Sequence, residues 1–156
     1  MSLTEVDLLE TGQLRAHARR FILWPRQWQT YSLTHKWTIE PLNTSRVRKI
    51  PASSGIYTIL LQPGIAGHIS CSYLMYVGKT KSLRRRFGEY LRKERKRTAR
   101  PLMSDFLTRY DDYVLFCYTL IDEKNLIIIE EGLKNAYVPP LNKQYSGELG
   151  HTIGAF

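Results

Sequence analysis

Cysteine is nearly absent: among 156 residues only Cys71 and Cys117 carry a thiol, and both lie inside apolar stretches. Two thiols cannot build a disulfide framework or complete a four-thiolate zinc site, so both read as small buried hydrophobes. Long apolar runs are missing too. None reaches the length of a membrane span, and the start MSLTEVDLLETG has neither the basic nor the apolar region of a secretory signal. A soluble cytoplasmic protein with no membrane partner is the expectation. The four histidines, His17, His35, His68 and His151, show no metal-ligand spacing, and no glycine-rich phosphate loop of nucleotide-binding type occurs. Internal repeats and low-complexity tracts are also lacking.

What is present is ordinary in amount and unusual in placement. Apolar residues make up 43% and charged residues 24%, enough for one packed domain. The formal net charge is +9, and residues 79 to 100 account for all of it, with eleven Lys or Arg against Glu89 and Glu94. Elsewhere twelve basic residues balance twelve acidic ones. Concentrated in this way, the charge points to a polyanion partner.

The composition breaks around Lys49 to Gly55, which divides the chain into an extension (1–50), a main domain (51–146) and a tail (147–156). Residues 4 to 23 read as an amphipathic helix carrying Leu8, Leu9, Leu14 and Phe21, ended by Pro25. The aromatic stretch with Trp24, Trp28, Tyr31 and Trp37 then reads mainly as packing against the main domain. Ile56 to Gln62 and Tyr73 to Val77 are β-branched and aromatic runs that suit a hairpin with a long connection. Ser82 can cap a helix running to about Arg97, Pro101 suits the first turn of a second one, and Asp112 to Ile121, apolar on both faces, reads as a central strand. Glu123 to Tyr137 is the last helix, stopped by Pro139 and Pro140. The order β, β, α, α, β, α predicts an α+β fold with a three-stranded, mainly antiparallel sheet and an N-terminal helical extension.

On these elements the chain resembles the GIY-YIG nuclease superfamily over about residues 51 to 146. Gly55-Ile56-Tyr57 stands for the first half of the name-giving motif and Tyr76-Val77-Gly78 for the second. Arg86 follows Tyr76 by ten positions and Tyr90 follows Arg86 by four, as in the family. Glu130 matches the family's glutamate, and Asn142 closes Pro139-Pro140-Leu141-Asn142 as in its DNA-repair members. The resemblance implies a metal-dependent endonuclease that leaves 3′-hydroxyl and 5′-phosphate ends, with Tyr57 as base, Tyr76 as its support and Asn142 supporting the site. The connection between Tyr57 and Tyr76 is longer here than in the family's tighter hairpins.

Helix geometry selects two of the same residues unaided. Leu83, Phe87, Tyr90 and Leu91 span one apolar face with Arg86 at its margin, while Arg84 and Arg85 point away. Glu130 lies beside the stripe of Leu126, Leu133 and Tyr137, and Glu131 is turned toward solvent. Phosphodiester hydrolysis needs an activated water and stabilised phosphoryl charge. Glu130 as a lone carboxylate suits one Mg²⁺ (or Mn²⁺), Arg86 clamps the phosphate with Lys79 as a second cation, and Tyr57 or Tyr76 orients and deprotonates the water. A tyrosine base requires nearby cations to lower its pKa from about 10. Lys81, Arg84, Arg85, Arg92, Lys93, Arg95, Lys96, Arg97 and Arg100 are the expected nucleic-acid contacts. Gly78 is expected to allow a turn after the second strand.

The expected substrate is DNA, cut by a stand-alone restriction, mobile-element or phage-defence type of nuclease. Charge reads phosphate without identity, so a nuclease for single strands or RNA is the main alternative. A silent binding module would have lost a catalytic residue, and here the set is complete. A homodimer that cuts both strands stands beside a monomer that nicks.

Overall fold

The computed structural model describes residues 18–19, 21–22, 25–30, 34–63, 71–92 and 101–145. Its centre is an antiparallel sheet of four strands: β1 (Thr38–Pro41), β2 (Gly55–Leu61), β3 (Tyr73–Thr80) and β4 (Val114–Leu120). The spatial order is β1-β4-β2-β3. Three strands were expected. The fourth, β1, adds to the outer edge of β4, with Ile39 opposite Cys117 and Pro41 opposite Leu115. It has four residues, mostly exposed, and ends in a proline that an edge strand tolerates, so it carries no alternation of its own.

The strand alternation divides the core into two clusters. Tyr57 and Ile59 of β2 share one face with Phe116 and Tyr118 of β4, covered by α2 (Leu83–Leu91) and α3 (Pro101–Arg109) through Leu83, Phe87, Phe106 and Leu107. Ile56 and Val77 face the other way, onto Leu126 and Leu133 of α4 (Leu126–Tyr137). β4 is buried on both faces, as its two-sided apolar pattern predicts. Leu42 and Ile50 lie in the first cluster, and the turn after Ile50 is tied down where Leu83 N–H donates to Ser53 O (3.0 Å) and Ser54 Oγ donates to Ile121 O (2.7 Å).

Local signals set the helix ends. Ser82 caps α2, its hydroxyl accepting from Arg85 N–H at 3.4 Å, and Pro101 opens α3. A short 3₁₀ turn, Glu123–Asn125, precedes α4, and Asp111–Tyr113 forms another before β4. Val138 ends α4 in the left-handed region at φ 45°, a conformation that costs a β-branched residue about 1–3 kcal/mol and redirects the chain toward β3. Of the helix expected over residues 4 to 23, the described Ala18, Arg19, Phe21 and Ile22 are not helical; the other residues of that span lie outside the described ones. Pro25 begins a helix instead, α1 (Pro25–Thr30), because its missing N–H and preset φ suit a first turn. α1 lies on α4, where Trp28 Nε1 donates to Ala136 O, and Trp37 packs into the second cluster. Trp24 and Tyr31 fall outside the described residues.

Candidate active site

β3 is an edge strand, so groups from both faces of the sheet can meet around it. Tyr76 packs on the first cluster, whereas Lys79 shares the opposite face with Val77. A bulge makes this geometry: Ile59 pairs with Tyr76 and Leu60 with Leu74, so Met75 is the extra residue and both Met75 and Tyr76 reach the first cluster. Along the open edge runs the segment after α4. Leu141 N–H donates to Met75 O (3.0 Å), and the Asn142 side chain accepts from Val77 N–H (2.9 Å) while donating to Val77 O (2.8 Å). Asn142 thus satisfies β3 as a neighbouring strand would, and it holds its segment against the site.

These pieces enclose an open cavity of about 380 Å³ lined by Tyr76, Lys79, Glu130, Lys134, Asn142, Lys143 and Gln144, with Pro101, Leu102 and Met103 of α3 as an apolar wall. Glu130 is 7% exposed, and its neighbour Glu131 faces solvent, as the helix phase predicts. The Glu130 carboxylate accepts from Lys79 Nζ, an ion pair across the β3–α4 boundary. Among the described residues no group of three or more His, Cys, Asp or Glu converges, so Glu130 stands as a lone carboxylate in this wall.

Tyr57 does not line the cavity; it is 1% exposed and stacked on Phe116 with ring centroids 5.2 Å apart. Its hydroxyl is 2.9 Å from that of Tyr90, and its ring is 6.1 Å from that of Tyr76. Burial pushes the Tyr57 pKa well above 10, the nearby Tyr90 and Tyr76 add to the rise, and Arg86 pulls against it. The lowering that a base at this position needs is therefore opposed by the site itself. Gly78 lies inside β3, opposite Tyr57, and is not the turn residue expected. A Cβ there would sit 2.5 Å from Tyr57 Oη, so the glycine exists to let the tyrosine ring lie across the strand.

Arg86 is mostly buried beside Tyr57, and Nη1 donates to Glu89 Oε2 at 2.7 Å. Its Nε is buried with no hydrogen-bond partner among the described residues. Glu89 also accepts from Arg85, so one carboxylate holds two arginines. Sequence reasoning missed Glu89, Lys134 and Lys143. Helical spacing could have found the first two: Glu89 lies three and four residues after Arg86 and Arg85, and Lys134 lies one turn after Glu130.

The expected nucleic-acid contacts are only partly described. Arg84 Nε donates to Ile50 O (2.7 Å), Arg85 pairs with Glu89, Lys81 pairs with Glu123 (2.9 Å), and Arg92 Nε donates to Gly88 O (3.2 Å). The outward arginines therefore have partners within the protein. Lys93, Arg95, Lys96, Arg97 and Arg100 lie outside the described residues. The helix expected to run to about Arg97 ends at Leu91, where Arg92 leaves helical geometry as the C-cap.

Residues 54–145 match a family model described as the GIY-YIG catalytic domain. Among solved structures, the GIY-YIG N-terminal endonuclease domain of UvrC from Thermotoga maritima, bound to its catalytic divalent cation magnesium, is 23% identical with a TM-score of 0.45. The match covers 64% of this chain and 93% of that one. A point mutant of the same domain, bound to its catalytic divalent cation, is 22% identical at the same coverage and TM-score. No curated protein matches the chain.

Proposed function

The chain belongs to the GIY-YIG family, and from that premise we propose that it is a DNA endonuclease working with one divalent cation. One observation carries the proposal: Glu130, buried in the cavity wall, shares that cavity with Tyr76, Lys79 and Asn142, which come from distant parts of the chain. Lys79 already meets the charge of this buried carboxylate, and a single carboxylate beside open space for waters and a phosphate fits Mg²⁺ or Mn²⁺. Glu130 would hold the ion, which supplies Lewis-acid stabilisation of the phosphoryl oxygens.

The chain's own groups divide the remaining work. Lys79 brings an ammonium beside the Glu130 carboxylate and can turn it toward a phosphate oxygen. Arg86, its Nη1 held by Glu89, is assigned to the scissile phosphate through the part of the guanidinium that stays exposed. Tyr76 lines the cavity and is assigned to orient the attacking water and, as its phenolate beside the site's cations, to receive the water's proton. Tyr57, implied as base by the resemblance, is here given the supporting part, since its burial favours the neutral phenol and it lies under Tyr76 bonded to Tyr90. Asn142 keeps the cavity wall in register with β3.

The test is incubation with supercoiled, linear and single-stranded DNA and with RNA, in Mg²⁺ or EDTA. Glu130→Gln keeps the shape and removes the charge, so cleavage should fall by several orders of magnitude, while Glu131→Gln should be nearly silent. Cleavage that survives in EDTA, or equal rates for wild type and Glu130→Gln, would refute the one-metal reading.

A further inference from the structure

Two lysines line the cavity without a part in the scheme above. Lys134 lies one helical turn beyond Glu130, so both project toward the same side of α4. Lys143 follows Asn142, whose two hydrogen bonds to Val77 fix the backbone that carries it. Among the described residues neither lysine pairs with a carboxylate, and the one carboxylate in the cavity wall is already paired with Lys79. The cavity thus holds three ammonium groups against one carboxylate.

Their placement adds direction. α2, with Arg86 and the start of the basic stretch, covers one face of the sheet; α4, with Lys134, covers the other; and the cavity lies at the β3 edge between them. A polyanion crossing that edge meets cations on both sides of Glu130. We infer that Lys134 and Lys143 form a second phosphate-binding line, so that a DNA duplex runs across the β3 edge with its backbone held by α2 on one side of the scissile phosphate and by these lysines on the other. This rests on the nuclease reading. It assigns to the duplex a footprint that extends past the cavity toward the chain segment after α4.

The experiment is equilibrium binding of a duplex of about 30 base pairs in EDTA, titrated between about 50 and 200 mM salt. Lys134→Gln and Lys143→Gln should each lower the log-log salt slope by about 0.9 and the double variant by about 1.8. The affinity gap between wild type and the double variant should then close about twelvefold over that range. Lys134→Arg and Lys143→Arg should keep the wild-type slope. So should Lys124→Gln, which removes an exposed lysine outside the cavity. A wild-type slope in the double variant overturns the assignment and leaves the nuclease reading standing. The same titration is run with a single strand of equal length, and a loss confined to single-stranded DNA overturns the duplex path. A wild-type protein that binds no DNA, or binds with a flat salt response, overturns both.

Discussion

Replacing Gly78 with alanine adds one methyl group at the most crowded point of the site. The new Cβ would stand 2.5 Å from Tyr57 Oη, 2.6 Å from Tyr57 Cζ and 2.7 Å from Tyr76 Cε1, where ordinary contact begins at 3.4 Å. Something must therefore move by about 0.7–0.9 Å. The Tyr57 ring has nowhere to go: Phe116 stacks on it, Tyr90 meets it edge-on at 5.8 Å, and Phe116 is itself wedged by Phe87. Overpacking of this kind costs roughly 1–3 kcal/mol, and the stiffer unfolded chain returns about 0.4–1. The net loss of roughly 1–2 kcal/mol should lower Tm by about 2–8 °C in a chain of this length. Tyr76 shares the displacement, and since misplacement by about 1 Å can cost about a hundredfold in rate, plasmid cleavage should fall roughly ten- to a hundredfold. Gly88→Ala provides the opposite sign. On α2 its Cβ would have Arg92 Nη2 at 3.9 Å as its nearest neighbour, so the helix should gain about 0.5–1 kcal/mol with cleavage unchanged. Thermal melting and cleavage of both variants check the pair. Wild-type melting and wild-type cleavage in Gly78→Ala would refute the close approach of Tyr57 to β3.

Glu89→Gln tests how Arg86 is held: cleavage should drop about tenfold or more, while DNA binding in EDTA holds or tightens because a carboxylate near the phosphates is gone, and unchanged cleavage would remove Glu89 from the site. Alkaline stability follows from the buried phenols. Tyr57 sits well above 10 and Tyr145 is pushed up to about 12, both by burial first. Below about pH 10 both are neutral in the folded and unfolded chains; above it the unfolded chain loses protons that the folded one keeps. Stability should therefore fall as pH rises past about 10, with Tyr57 alone contributing a slope of about 1.4 kcal/mol per pH unit. Urea unfolding from pH 9 to 11 should show a shallower decline for Tyr57→Phe, and an identical slope would contradict the burial of this phenol.

Much of this architecture is local and could be read along the chain. The runs around β2, β3 and β4 declare themselves by β-branched and aromatic content, Ser82 and Pro101 mark helix starts, and a rotation of 100° per residue separates Glu130 from Glu131. Those features depend on backbone geometry within a few residues, and the sequence by itself determined them. Only the tertiary structure decided the rest, because it depends on which surfaces meet. β1 is a strand because β4 offers it an edge, and Pro25 starts a helix that leans on α4. Gly78 reads as a turn residue until the Tyr57 ring is laid across it from the neighbouring strand. Tyr57 and Tyr76 belong to the same short motif pattern, but the sheet buries one and leaves the other on the cavity. Lys134 and Lys143 become neighbours of Lys79 only because β3 is an edge strand, around which groups from both faces of the sheet and from the closing segment can gather.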